Sequence, residues 1–308
     1  MLIVFSGFGV ATSLVSKGVM GVMVGMELAF FGVIPLMLVS SVKEFGSAHE
    51  SEGALVYFVF QSLGSMVMFL SLVMLISSSH WYVLSWSMFI MSMSMKLGIF
   101  PFHSWVVTVA GLSSWTGVLF VLVVMKLAPY WMLSGMGLPA AASVTLVLLS
   151  CITTALGAVS ACNQSTLRGV LGCSSLSQSG FMMGLSLVSA YYYVGYFVVY
   201  SSIMSSMVIS CSLKNSPMLV MASLMSLSGM PPLLGMFMKF GGLYCLSGVS
   251  PSLCVFLAAC SLFGFFYYFN AMVEVYYSSP LVGGAGWTLI LVNVLVGPVL
   301  FMSLFPLM

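Results

Sequence analysis

Aspartate is absent from this chain, arginine occurs once, at Arg168, and all remaining charge lies on six lysines and five glutamates scattered over 308 residues. Charged residues make up 4% of the sequence, where soluble domains carry about 25%. A folded protein of this size leaves roughly a quarter of its unfolded surface in water, and so little charge cannot cover it, which excludes a water-soluble domain. One arginine and dispersed lysines give no basic face, which excludes nucleic acid as a partner. The seven cysteines, Cys151, Cys162, Cys173, Cys211, Cys245, Cys254 and Cys260, include no CxxC pair and no adjacent histidines. They read as packing residues rather than metal ligands. The 28 methionines are spread through apolar segments, only Met182 and Met183 being adjacent, without a copper motif. No metal site is expected.

What is present is apolar, 61% of the chain. A bilayer crossing needs about 20 apolar residues, and dividing the sequence at its polar breaks gives about eleven segments. They run near 2–15, 18–40, 54–77, 82–100, 113–133, 139–161, 166–187, 189–212, 217–247, 250–273 and 284–306. The first lacks a positively charged flank and runs straight on into further apolar sequence, so it is expected to be a retained span rather than a signal peptide. None of the segments alternates polar with apolar residues as barrel strands do, and unpaired backbone is intolerable in lipid, so all are expected to be helices. The expectation is one polytopic all-α membrane domain, residues 1–308. Its polar loop spans Lys43 to Glu52. With eleven spans, Lys43, Arg168 and Lys214 fall on the side of the N-terminus and Lys17 on the other, which predicts a matrix-side or cytoplasmic N-terminus.

Glu27, Lys96, His103, Lys126 and Lys239 fall within or beside spans, far from any polar loop. Glu27 and the three lysines, left unpaired near the bilayer centre, would together cost on the order of 10 kcal/mol. A long lysine stem near a helix end can snorkel to the interface, but the short side chain of Glu27, midway along its segment, has no such escape. Either neighbouring residues or one another must satisfy these groups, and together they mark a functional interior.

Proline placement sharpens that reading. In KLGIFPFHSW, residues 96–105, Pro101 removes the donor that would bond the Leu97 carbonyl; in SLSGMPPLLGMFMKF, residues 226–240, Pro231 and Pro232 do the same to Leu227 and Ser228. Gly229 and Gly235 flank the second break. Each reads either as a plain proline kink or as a broken helix, and irregular backbone at membrane depth is tolerated only where it is buried or lines a hydrated cavity. The breaks lie five spans apart, so their helices cross in opposite directions, as an inverted five-helix repeat requires. No residue-by-residue repeat accompanies that layout. The chemistry of a lysine fits proton carriage: its reference pKa is near 10.4, desolvation disfavours the charged form, and a nearby carboxylate favours it. Sodium would call for carboxylates and carbonyls, and there is no Asp.

Five pieces of sequence, in order, resemble the NADH-ubiquinone oxidoreductase chain 2 family, a proton-pumping subunit of respiratory complex I: GMELAFFGVIPL, KLGIFPFHSW, MKLAPYW, NQSTLRGVLGCSSLSQSGFM and SLSGMPPLLGMFMKF. The resemblance implies an antiporter-like fold of two inverted five-helix repeats, each with one broken helix. In animal members three N-terminal helices of the bacterial form are lacking, which fits eleven spans and a mitochondrial inner-membrane protein. It implies that Glu27 pairs with Lys96 as a switch, Lys126 continues a central proton path, and Lys239 gates the second half-channel. His103 is then either a path residue or a structural hydrogen-bonder at the break. FMN, iron-sulfur clusters and ubiquinone are implied only for partner subunits, with no cofactor in this chain, and chains 4 and 4L are the implied neighbours. The sequence departs from the family at Val107 and Thr108, where relatives commonly have Pro and an acid, and at Gly169 and Gln178, where they often have Lys and His. Gln178 cannot carry a proton as imidazolium does. A free-standing cation/proton antiporter of the same fold and a purely structural membrane-arm subunit are the competing readings.

Overall fold

The computed structural model describes residues 1–44, 48–77, 81–212, 217–248 and 250–278. The expected last span, 284–306, and Lys214 lie outside these residues. Among the described residues all regular structure is helical, in twelve helices: α1 (Leu2–Val15), α2 (Val19–Glu44), α3 (Ala48–Ser77), α4 (Tyr82–Leu97), α5 (Ser104–Leu112), α6 (Trp115–Gly135), α7 (Ala140–Cys162), α8 (Leu167–Val188), α9 (Ala190–Ser212), α10 (Pro217–Ser228), α11 (Leu234–Ser247) and α12 (Pro251–Ser278). Helices therefore occupy ten of the eleven expected segments. Six of them, α2, α3, α6, α7, α9 and α12, are each long and apolar enough to cross a bilayer unaided.

Three local features differ from the sequence expectation. The polar stretch expected as a loop from Lys43 to Glu52 is mostly helical, since α2 continues to Glu44 and α3 begins at Ala48. Residues 104–112, left between spans on hydropathy alone, form α5, which the non-helical stretch 98–103 separates from α4. The segment near 113–133 is one helix whose middle, Phe120–Val124, is wound as a π-turn immediately before Met125 and Lys126.

The bundle is turned out toward lipid. Phe5, Phe8, Phe31, Phe69, Ile76, Val144, Leu148, Phe263 and Phe266 are exposed, as a membrane domain requires, while Ser85, Ser92, Ser150, Thr153, Thr154 and Ser175 are among the polar residues that face inward. The extreme case is α8. It is 22 residues long, yet 17 of them are buried, among them Ser174, Ser175, Gln178 and Ser179. Surrounded by protein, this helix needs no lipid-grade hydropathy. Its serines return their hydroxyl protons to carbonyls one turn back, as in Ser174 to Leu171 at 2.9 Å and Ser175 to Gly172 at 2.7 Å.

Close approach comes from small residues. A Cβ on Gly157 of α7 would meet the Ser177 nitrogen of α8 at 2.6 Å, and one on Gly180 of α8 would meet the Ser150 carbonyl of α7 at 2.6 Å. With no hydrophobic drive between helices in lipid, such backbone contact is a main source of association.

Both breaks follow one pattern. Gly98 ends α4 with φ +68°, and Gly229 follows α10 with φ +85°, a left-handed conformation that favours glycine. A proline stands three residues after each, Pro101 and Pro232. Because α4 already stops at Leu97, the carbonyls given side-chain donors at the first break are those of Met95 and Lys96 rather than Leu97. Trp105 Nε1 donates to Met95 at 3.0 Å and Gln61 Nε2 to Lys96 at 3.0 Å.

Candidate functional site

The four charged residues singled out from the sequence all lie on helices turned toward the interior. Glu27 of α2 and Lys96, at the last turn of α4, meet as an ion pair with Nζ to Oε1 at 3.0 Å, although 69 residues separate them. The lysine side chain is 4% exposed and the glutamate 26%, so the pair is buried on the lysine side and open on the carboxylate side. Snorkelling is thereby excluded for Lys96, whose head points inward at the break.

Lys126 has no carboxylate. Its Nζ, fully inside the bundle, donates to the Ser175 carbonyl of α8 at 2.8 Å. One turn further along both helices, Tyr130 donates to the Ser179 carbonyl at 2.8 Å. From the other side α9 supplies two more phenols: Tyr193 donates to the Leu127 carbonyl at 3.2 Å and Tyr200 to the Leu122 carbonyl at 3.5 Å. A π-turn displaces the regular ladder and leaves backbone groups to be satisfied from outside, and Leu122 lies within that turn. Lys126 thus sits where α6 is irregular and where its neighbours are tied to α8 and α9 by hydrogen bonds.

Lys239 of α11 reaches back across the second break. Its Nζ donates to the Ser228 carbonyl at 2.5 Å, and lies 5.9 Å above the centre of the Phe265 ring. Ser228 is one of the two residues whose carbonyls the Pro231–Pro232 pair was expected to free, so the lysine takes the place of the missing backbone donor. The break and the charge explain each other: the buried ammonium finds a dipole, and the orphaned carbonyl finds a donor.

His103 stands apart. It is the residue before α5, with its ring against Phe100 at 6.3 Å between centroids, and its Nδ1 is buried without a partner among the described residues. It makes no bond to the four charged residues.

Sequence reasoning passed over two contributors, Gln61 and Tyr196, and read Arg168 only as a loop cation. Gln61 of α3 holds the Lys96 carbonyl, and its signal was the same as that of the charges, a lone amide inside an apolar span. Tyr196 of α9 donates to Gln178 Oε1 of α8, and a tyrosine in an apolar run carries no such signal. Arg168 at the start of α8 donates to the Ser113 carbonyl at 2.7 Å and lies 5.1 Å from the Trp115 ring centre. That contact ties the α5–α6 connection to the start of α8 on one side of the bundle. Among the described residues no group of three or more His, Cys, Asp or Glu stands close enough to hold a metal ion.

The interior therefore presents, in sequence order, a carboxylate–ammonium pair, an ammonium on a helix carbonyl and an ammonium on a break carbonyl. Small cavities adjoin two of the lysines, one lined by Gln61, Lys96, Met125, Ala128 and Pro129, the other by Gln178, Lys239 and Tyr267.

Comparison with known proteins places this arrangement. The family described as NADH:quinone oxidoreductase/Mrp antiporter, TM, matches residues 16–218. The chain is 32% identical to NADH-ubiquinone oxidoreductase chain 2 of Mytilus edulis, over 96% of this chain and 94% of that one. It is 30% identical to NADH-ubiquinone oxidoreductase chain 2 of Albinaria caerulea, over 76% and 73%. In three dimensions it superposes on a chain of respiratory complex I from Thermus thermophilus, solved with bound aureothin, with a TM-score of 0.79 at 18% identity, covering 99% of this chain and 77% of that one.

Proposed function

Because this chain belongs to the NADH-ubiquinone oxidoreductase chain 2 family within the antiporter-like membrane proteins, we propose that it is a membrane-arm subunit of respiratory complex I which moves protons through Glu27, Lys96, Lys126 and Lys239. The observation that carries the residue assignment is the state of the lysines: three ammonium groups buried in a membrane domain, one held by a carboxylate and two by single carbonyls. A buried ammonium held by one neutral dipole can lose its proton far more readily than one held by a carboxylate. Separating Glu27 from Lys96 thus removes the partner that favours the charged form of the lysine. One unit of pKa is about 1.36 kcal/mol and moving a charge through 100 mV takes about 2.3 kcal/mol, so a shift of about two units, which breaking a single ion pair can supply, is of the size needed to drive a transfer step.

The proton then passes from Lys96 toward Lys126 and on to Lys239, with electron transfer from NADH to ubiquinone supplying the energy in partner subunits. FMN, iron-sulfur clusters and the quinone site belong to those partners. The chain works as one domain in the mitochondrial inner membrane, its N-terminus on the matrix side, between chains 4 and 4L. The two breaks, Gly98–Pro101 and Gly229–Pro232, support reading the bundle as two inverted halves with one broken helix and its lysine in each. His103, with no bond to the path, fits a structural part at the first break better than a path residue. A free-standing antiporter is disfavoured by the match along nearly the whole length to chain 2 of Mytilus edulis.

The test is Lys96→Met in the assembled complex, reconstituted in sealed vesicles. Protons moved per NADH oxidised should fall while the complex still forms; unchanged pumping in a fully assembled complex would overturn the assignment.

A further inference from the structure

The buried phenols of the bundle find acceptors, with one telling exception. Tyr130, Tyr193 and Tyr200 give their protons to backbone carbonyls and Tyr196 gives its own to the Gln178 amide. Tyr57 of α3 is fully buried, and its hydroxyl has no hydrogen-bond partner among the described residues. A buried hydroxyl left unsatisfied weighs against the folded state, so a chain that keeps one calls for a reason.

Tyr57 adjoins the ion pair from several sides. Its ring lies 5.7 Å from that of Phe30, which stands one turn on from Glu27 on the same face of α2. Its other neighbour is the Trp105 ring at 5.9 Å, and that indole is bonded to the carbonyl of Met95, the residue before Lys96. One turn further along α3, Gln61 holds the Lys96 carbonyl at 3.0 Å. One turn beyond that, Gly64 lies so close that a Cβ there would meet Lys96 Cγ at 3.0 Å. Tyr57, Gln61 and Gly64 share one face of α3 by their spacing, and that face runs along the pair. Glu27 is the charged group whose field reaches the Tyr57 hydroxyl.

The carboxylate has room for a second donor. Lys96 engages its Oε1 at 3.0 Å, and an ionised carboxylate offers about four acceptor sites on its two oxygens. Phe30 and Trp105, the ring neighbours of Tyr57, offer the phenol no oxygen. We propose that Tyr57 is the standby partner of Glu27: while Lys96 holds the carboxylate the phenol is idle, and when the ammonium withdraws Tyr57 donates its O–H to Glu27 and holds it until the lysine returns.

No covalent bond breaks in this exchange, because the phenol donates a hydrogen bond and keeps its proton. Its effect is on the balance between two states. The unsatisfied hydroxyl burdens the paired state, whereas a bond from O–H to a carboxylate, roughly twice as strong as one between neutral groups, supports the separated state. Both effects narrow the gap that the switch has to cross. Without the hydroxyl the pair should open more rarely, although every ring contact of residue 57 survives. Tyr57 is in this sense a positioning residue, acting through Glu27 and carrying no proton of its own.

This inference rests on the Glu27–Lys96 pair being a working switch, and the experiment separates the two. The complete complex is prepared with Tyr57→Phe, alongside Lys96→Met, and placed in sealed vesicles. Tyr57→Phe removes only a hydroxyl that is unsatisfied in the resting protein, so the Tm of the complex should be unchanged or higher. Proton transfer should nevertheless slow by about tenfold, the rate equivalent of about 1.4 kcal/mol. Stability and pumping falling together would make Tyr57 a packing residue and overturn the proposal. If Lys96→Met lowers pumping and Tyr57→Phe does not, the standby role is wrong and the path stands; if neither lowers it, the path itself is wrong. A density map of the Lys96→Met complex gives a second reading, since its Glu27 lacks the cation permanently. Tyr57 Oη within hydrogen-bond distance of a Glu27 oxygen supports the proposal, and a phenol still idle there overturns it. Should Lys96→Met fail to assemble, the same distance decides the matter in maps of the native complex during NADH oxidation, read in the particles whose ion pair is open.

Discussion

Lys239 carries two duties on one atom, because its Nζ both satisfies the Ser228 carbonyl at 2.5 Å and bears the proton assigned to it. Lys239→Met removes both. It leaves a buried carbonyl unpaired, which costs about 1–3 kcal/mol, so lost assembly and lost pumping would be confounded. Lys239→Arg separates them, since a guanidinium keeps the positive charge and the donor but does not give up its proton in proteins. The expected outcome is a complex that assembles at near-parent levels on native gels, while protons per NADH fall as far as with Met. Pumping at the parent level in Lys239→Arg would mean that the charge, and not its proton, is what the second break requires.

The helices show where local sequence suffices and where it does not. Hydropathy runs located ten of the segments, and prolines 101, 231 and 232 located both breaks, because these are properties of short stretches of chain. The π-turn at Phe120–Val124, the α5 half-helix and the phenols of Tyr193, Tyr196 and Tyr200 were not legible, because each depends on a partner helix tens of residues away. The same holds within the site. Glu27 and the lysines stood out as charges that lipid should reject, yet the acceptors of Lys126 and the role of Gln61 exist only once α8 and α3 are packed. Packing at the second break gives a prediction at this scale. A Cβ on Gly235 of α11 would collide with the backbone carbonyl of Ser226 on α10, and a backbone atom cannot turn aside as a side chain does. Gly235→Ala should therefore cost the 1–3 kcal/mol typical of overpacking, or more, read as a lower Tm of the purified complex. Gly7→Ala in α1, where the added methyl meets nothing within 4 Å, should leave the Tm unchanged or raise it, since alanine favours a helix over glycine by about 1 kcal/mol.

The whole molecule reverses the order of a soluble protein, with phenylalanine, valine and leucine side chains outward and the serine-rich α8 at its centre. A bundle of this kind is held in the membrane by its surface and oriented by its few loop charges. Arg168 bonding the Ser113 carbonyl puts the α5–α6 connection and the start of α8 on one side, which agrees with α6 and α7 forming a pair of crossings between them. Lys17, exposed between α1 and α2, then lies one crossing away from the N-terminus. With the N-terminus on the matrix side, Lys17 faces the intermembrane space. An amine reagent that cannot cross the membrane should label Lys17 in intact mitoplasts, as read by mass spectrometry of its peptide, and should miss it in sealed inverted particles. The opposite pattern would turn the chain over, and with it the side to which each broken helix and its lysine opens, while leaving the ion pair and the carbonyl contacts of the interior as they are.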